Sequence, residues 1–146
     1  DAERDDPGNP RIALTRAQAQ AAAGDAEAAQ QTLDALPPDA QDKPEAARLR
    51  SQLFFERIAG PDLTPEAAAA AVEADPADIP ARYRLAAIQA FQGDVEAALE
   101  NFLAVMQKDR SYEDDGARRA LLHLFDLLGD DPLVARYRSR MFNLLH

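Results

Sequence analysis

Four glycines recur along this chain at Gly24, Gly60, Gly93 and Gly129, spaced by 36, 33 and 36 residues. A period of about 34 residues in a helix-favouring sequence marks stacked helix pairs, because one pair alone cannot bury its apolar face. Aspartate follows directly at Asp25, Asp94 and Asp130, and the remaining turn reads Gly60-Pro61-Asp62. Glycine takes the left-handed conformation that closes one helix, and aspartate caps the next. Each pair is therefore expected to turn the chain between antiparallel helices. Composition points the same way: there are 32 alanines against only 4 valines and 4 isoleucines, so the residues that favour strands are scarce. The expected fold is all-α.

The third unit carries the fullest pattern, with Leu85 and Ala86 in its first helix, Gly93-Asp94 at the turn, and Ala98 and Phe102 in its second. These offsets resemble a tetratricopeptide repeat (TPR). Small residues at Ala86 and Ala98 let two helices cross closely, and Phe102 fills the space left by the crossing. The first unit repeats the pattern as Ala17, Gly24-Asp25, Ala29 and Leu33, and the second closes at Asp75-Pro76. Start and stop signals place eight helices at 10–23, 25–35, 44–58, 65–74, 80–92, 94–108, 115–128 and 132–145. Residues 37–42 read as a loop. Thr64 and Asp131 read as N-caps. The expectation is a flexible leader at 1–9 and one TPR domain at 10–146, a TPR-like right-handed helical solenoid of about four helix pairs. A chain that starts at Asp1 reads as part of a longer one.

With 16 basic and 26 acidic side chains the net charge is -10, whereas nucleic-acid binding draws on a positive surface. Neither DNA nor RNA is expected as a partner. No apolar run approaches the roughly 18 residues that span a bilayer, so no membrane partner is expected. The chain has no cysteine, which excludes thiol chemistry and thiolate metal sites within it. Only two histidines occur: His123 stands three residues before Asp126, too few ligands for a metal site, and His146 is terminal. Glu113-Asp114-Asp115 precedes a helix, where negative charge suits the dipole. No glycine-rich phosphate loop and no nucleophile elbow appears. The expectation is a chain without enzymatic activity and without a cofactor.

Binding surface remains. In TPR geometry the first helix of each pair lines a concave groove, which assigns to it Leu14, Gln18, Leu49, Leu53, Arg57 and Tyr83, then Ala87, Phe91, Arg119, His123 and Leu127. Aromatic and arginine side chains are frequent binding anchors. The last helix carries Arg136, Arg138 and Arg140 with no acid, while residues 1–75 hold 7 basic and 15 acidic side chains. Val134, Tyr137, Met141 and Leu145 form an apolar stripe expected to cap the last repeat. Arg136, Arg138, Arg140 and Phe142 are the candidate contacts to a partner.

The string Gly116-Ala117-Arg118-Arg119-Ala120-Leu121-Leu122, then Leu128-Gly129, Asp131-Pro132-Leu133-Val134 and Tyr137-Arg138, resembles the end of bacterial thioredoxin-like co-chaperones of the YbbN/CnoX type. The stretch from Phe91-Gln92-Gly93-Asp94 to Lys108-Asp109 is similar to theirs as well. This resemblance implies a cytoplasmic co-chaperone or holdase that binds unfolded or partly folded proteins and passes them to a GroEL-type chaperonin. It also implies a preceding thioredoxin-fold domain and a chaperonin-facing role for Pro132 to His146. The alternative is a TPR scaffold that joins fixed protein partners without chaperone activity.

Overall fold

The computed structural model describes residues 9–60 and 64–145. The expected leader up to residue 8, the Pro61-Asp62 part of one turn, and His146 lie outside the described residues. Among those described, regular structure is helical throughout: α1 (Pro10–Ala22), α2 (Ala26–Asp34), α3 (Pro38–Gln41), α4 (Pro44–Ala59), α5 (Pro65–Ala74), α6 (Ile79–Gln92), α7 (Val95–Lys108), α8 (Tyr112–Leu128) and α9 (Pro132–Leu145). The chain divides into two compact units, residues 1–53 and 54–146, with the division inside α4.

In the first unit, α1 and α2 form an antiparallel pair closed by Gly24 at φ +87°. The Gly24 N–H donates to the Ala21 carbonyl at 3.0 Å and that of Asp25 to Gln20 at 2.9 Å, which satisfies carbonyls that the helix end leaves open. The Asp25 side chain accepts from the Ala28 N–H at 3.1 Å and caps α2. Ala17 and Ala29 are fully buried where the helices cross, with Leu33, Leu36, Leu49 and Leu53 around them. Thr32 donates to Gln20 at 2.7 Å across the pair. The segment read as a loop contains α3: Pro38 opens a helical turn that buries Ala40, and the Gln41 amide donates to the Leu36 carbonyl at 2.7 Å.

The second unit repeats the same design in α6 and α7. Gly93 sits at φ +89°, the Asp94 N–H donates to Gln89 at 2.9 Å, and Ala86 and Ala98 are fully buried. Asn101 donates to Gln89 at 2.7 Å, in the place that Thr32 and Gln20 hold in the first unit. Asp94 departs from expectation, since its side chain makes no cap hydrogen bond. Thr64 and Asp131 accept from Ala67 and Leu133 N–H groups at 3.1 and 2.9 Å, as N-caps do. The Arg84 guanidinium reaches the Ala59 carbonyl at 3.2 Å and closes the end of α4.

Helix α8 begins three residues earlier than the sequence suggests, but not as a right-handed helix. Glu113, Asp114 and Asp115 have φ of 53°, 54° and 61°, a left-handed turn, and the right-handed helix resumes at Gly116. The turn brings Gly116 against the Tyr83 hydroxyl, so closely that a Cβ there would overlap it. The Arg119 side chain donates to the Glu113 carbonyl at 2.8 Å and ties the turn to the helix that follows.

Candidate functional site

In the first unit, Leu14 is half-buried and Gln18 exposed on α1, while Leu49 and Leu53 of α4 are buried. Leu14 and Gln18 line one cavity, and Gln18 and Leu49 line a second beside it. Leu53 is 2% exposed and belongs to the core. Its assignment to a binding groove is corrected, because its side chain is spent on packing.

Of the residues assigned to a groove in the second unit, two are also core. Ala87 is fully buried. Tyr83 is enclosed edge-on by Phe102, with ring centroids 5.7 Å apart, and by Tyr112, at 5.2 Å. Burial pushes its hydroxyl up from 10.0 to about 12, Arg119 opposes this, and Glu113 and Tyr112 add to it. Arg57 and Arg119 are exposed, and His123 is half-buried. The His123 ring stacks on Phe54 with centroids 4.4 Å apart, and the Arg119 guanidinium lies 5.7 Å from the centre of the same ring. Phe54 thus joins two expected groove residues. Sequence reasoning passed over it although it stands six residues before Gly60, as Gln18 does before Gly24 and Ala87 before Gly93. Phe91 and Leu127 hold large apolar side chains 52% and 40% exposed.

Helix α9 is docked. Val134, Tyr137 and Met141 are buried in the core of the second unit, and Tyr137 donates to the Glu100 carboxylate of α7 at 2.8 Å. Arg140 donates to both oxygens of Glu100, and Arg136 lies 3.7 Å from Glu96. The Arg140 hydrogen bond is the main reason that the Glu100 carboxyl is held below its usual 4.5, with burial opposing and Tyr137 assisting. Both arginines also lie over the Tyr137 ring. Arg136 and Arg140 thus tie the cap to α7, while their side chains stay 61% and 44% exposed. The sequence contains the signal, since Glu96 and Glu100 are one helical turn apart and so are Arg136 and Arg140. Arg138 covers the Phe125 ring at 5.4 Å and stays exposed, and Phe142 is 58% exposed.

Residues 58–146 match a tetratricopeptide-repeat family model, and residues 1–53 match a second one of the same description. The chain belongs to the tetratricopeptide-repeat family. Its fold class is the all-α, TPR-like helical solenoid, and a TPR chain of this kind is a protein–protein interaction domain. A comparison with curated proteins finds no match. No helix among the described residues is long and apolar enough to cross a membrane.

Proposed function

We infer that this TPR domain is the protein-binding part of a bacterial, cytoplasmic thioredoxin-like co-chaperone. It holds unfolded or partly folded clients without catalysis and cooperates with a GroEL-type chaperonin. The observation that carries the reading is the exposure of Phe91, Leu122, Leu127 and Phe142, all in the second unit, on a chain of net charge -10. Exposed apolar side chains contact exposed apolar segments of clients, and a high net charge keeps the loaded complex in solution. The resemblance of residues 91–138 to the YbbN/CnoX type supports the chaperonin half of the reading. The chaperonin contact is assigned to Arg136, Arg138, Arg140 and Phe142 of α9, whose side chains are exposed.

The test is binding of the whole chain to purified chaperonin, beside an Arg138→Glu/Phe142→Ala double variant whose helix content matches the parent. Binding that is lost in the double variant and weakens with salt supports the assignment. Absence of binding by the parent chain returns the protein to the scaffold reading, a TPR domain joining fixed partners.

A further inference from the structure

Gly93 and Gly129 lie 36 residues apart, and that shift carries each position of α6 and α7 onto one of α8 and α9. Burial follows the register on the face turned toward the pair's own core: Ala98 and its counterpart Val134 are both buried, as are Val105 and Met141. On one arc the register breaks. Leu99, Phe102, Leu103 and Met106 are buried in α7, which packs against α8 and α9 as well as α6, whereas their counterparts Ala135, Arg138, Ser139 and Phe142 in α9 are exposed. Ala86 of α6 is fully buried, and its counterpart Leu122 of α8 is 41% exposed. The α8–α9 end of the second unit therefore presents the face that α6 and α7 cover with the pair that follows them.

These positions are contiguous. Leu122 and Phe125 stand three apart on α8, Arg138 of α9 lies over the Phe125 ring at 5.4 Å, and Phe142 follows Arg138 by one helical turn. The small side chains of Ala135 and Ser139 beside them let another helix approach closely. Arg118 precedes Leu122 by one turn and Asp126 follows it by one, while α9 holds three arginines and no acid. On a chain whose net charge is -10, this basic and apolar face selects an acidic partner. The helix seated one repeat earlier shows the form that fits: α8 lays Ala117, Leu121 and Leu124 into the core of the second unit as an apolar stripe. The geometry points to the α8–α9 end as the docking site for an acidic amphipathic helix of a partner protein, seated where the first helix of a following repeat would stack. Its apolar stripe rests on Leu122 and Phe142, and its carboxylates meet Arg118 and Arg138. This deepens the chaperonin-contact reading, on which it rests for the identity of the partner, by naming the element of the partner that α9 receives.

The experiment is fluorescence anisotropy of the whole chain with a labelled, hydrocarbon-stapled helical peptide of alanine and glutamate that carries a leucine stripe. Beside it stand the same peptide with lysine in place of glutamate and a scrambled peptide of the same composition without the stripe. The acidic helix is expected to bind about tenfold tighter than either, although the net charge of -10 attracts the lysine peptide, and added salt to weaken it. Arg118→Glu/Arg138→Glu is expected to abolish that preference, and Leu122→Ser, which leaves every charge in place, to weaken acidic binding while circular dichroism stays unchanged. Equal binding of the three peptides, no binding of the acidic helix, or an unchanged preference in a folded Arg118→Glu/Arg138→Glu chain overturns the assignment. So does a chain that sediments as a dimer and is split by Leu122→Glu, because a second copy then covers the face. Chaperonin binding without any preference for the acidic helix overturns only this inference. The preference without chaperonin binding upholds the docking face and overturns the co-chaperone reading.

Discussion

Ala98 has no room to grow. Its methyl group and that of Ala86 are fully buried where α6 and α7 cross, so a larger side chain must displace one helix. Ala98→Leu is expected to destabilise the chain by about 1–3 kcal/mol in urea unfolding, whereas Ala70→Leu on the exposed side of α5 leaves the midpoint almost unchanged. Tyr83 is constrained from its hydroxyl end, where Gly116 abuts it. Because burial raises its hydroxyl from 10.0 to about 12, the folded state disfavours the ionised form. That stabilisation is fully present below the unfolded value of 10.0 and is lost as pH rises through about 12. Phenolate absorbance of Tyr83 is therefore expected to appear late and together with loss of helix. A parent-minus-Tyr83→Phe difference titration that shows the Tyr83 phenolate near 10.0 with the helices intact would contradict this.

At the scale of the element, α9 is held by an apolar stripe and an ionic clasp of unequal weight. The Arg140 and Glu100 side chains are 44% and 46% exposed, so solvent screens the pair and its contribution is about 1 kcal/mol or less. The folded Glu100 carboxyl lies below 4.5, so the contribution is present above that value and lost as pH falls through the folded one. Glu100→Gln is expected to lower stability slightly at neutral pH, with the difference from the parent vanishing in acid. An unchanged difference in acid would show that the clasp acts through packing instead. The left-handed turn that opens α8 places three side-chain-bearing residues where glycine is favoured. Asp114→Gly is therefore expected to stabilise by about 1 kcal/mol, seen as a raised thermal midpoint.

Across the whole molecule, the glycine spacing and the alanine pairs made the helical order legible, and helices 65–74 and 132–145 fall where start and stop signals place them. This succeeded because helix ends and close crossings are set by local chemistry: a glycine at positive φ, a capping oxygen, a residue without bulk. The turn at Pro38 and the left-handed run at 113–115 were not legible, because each depends on what it packs against, buried Ala40 in one case and the Tyr83 ring in the other. The same limit applied to the binding face. Periodicity places Tyr83, Ala87 and Leu53 on the first helices of their pairs, but it does not say that neighbouring side chains bury them. It likewise does not show that Arg136 and Arg140 stand opposite Glu96 and Glu100. The measurement that tests the central claim most directly is light scattering from a chemically denatured client diluted into buffer with and without the chain. A non-catalytic client-binding domain is expected to suppress aggregation in proportion to its concentration without any nucleotide, and Phe91→Ser/Phe142→Ser to suppress it less. A scattering curve that the chain leaves unchanged at molar excess would contradict the account.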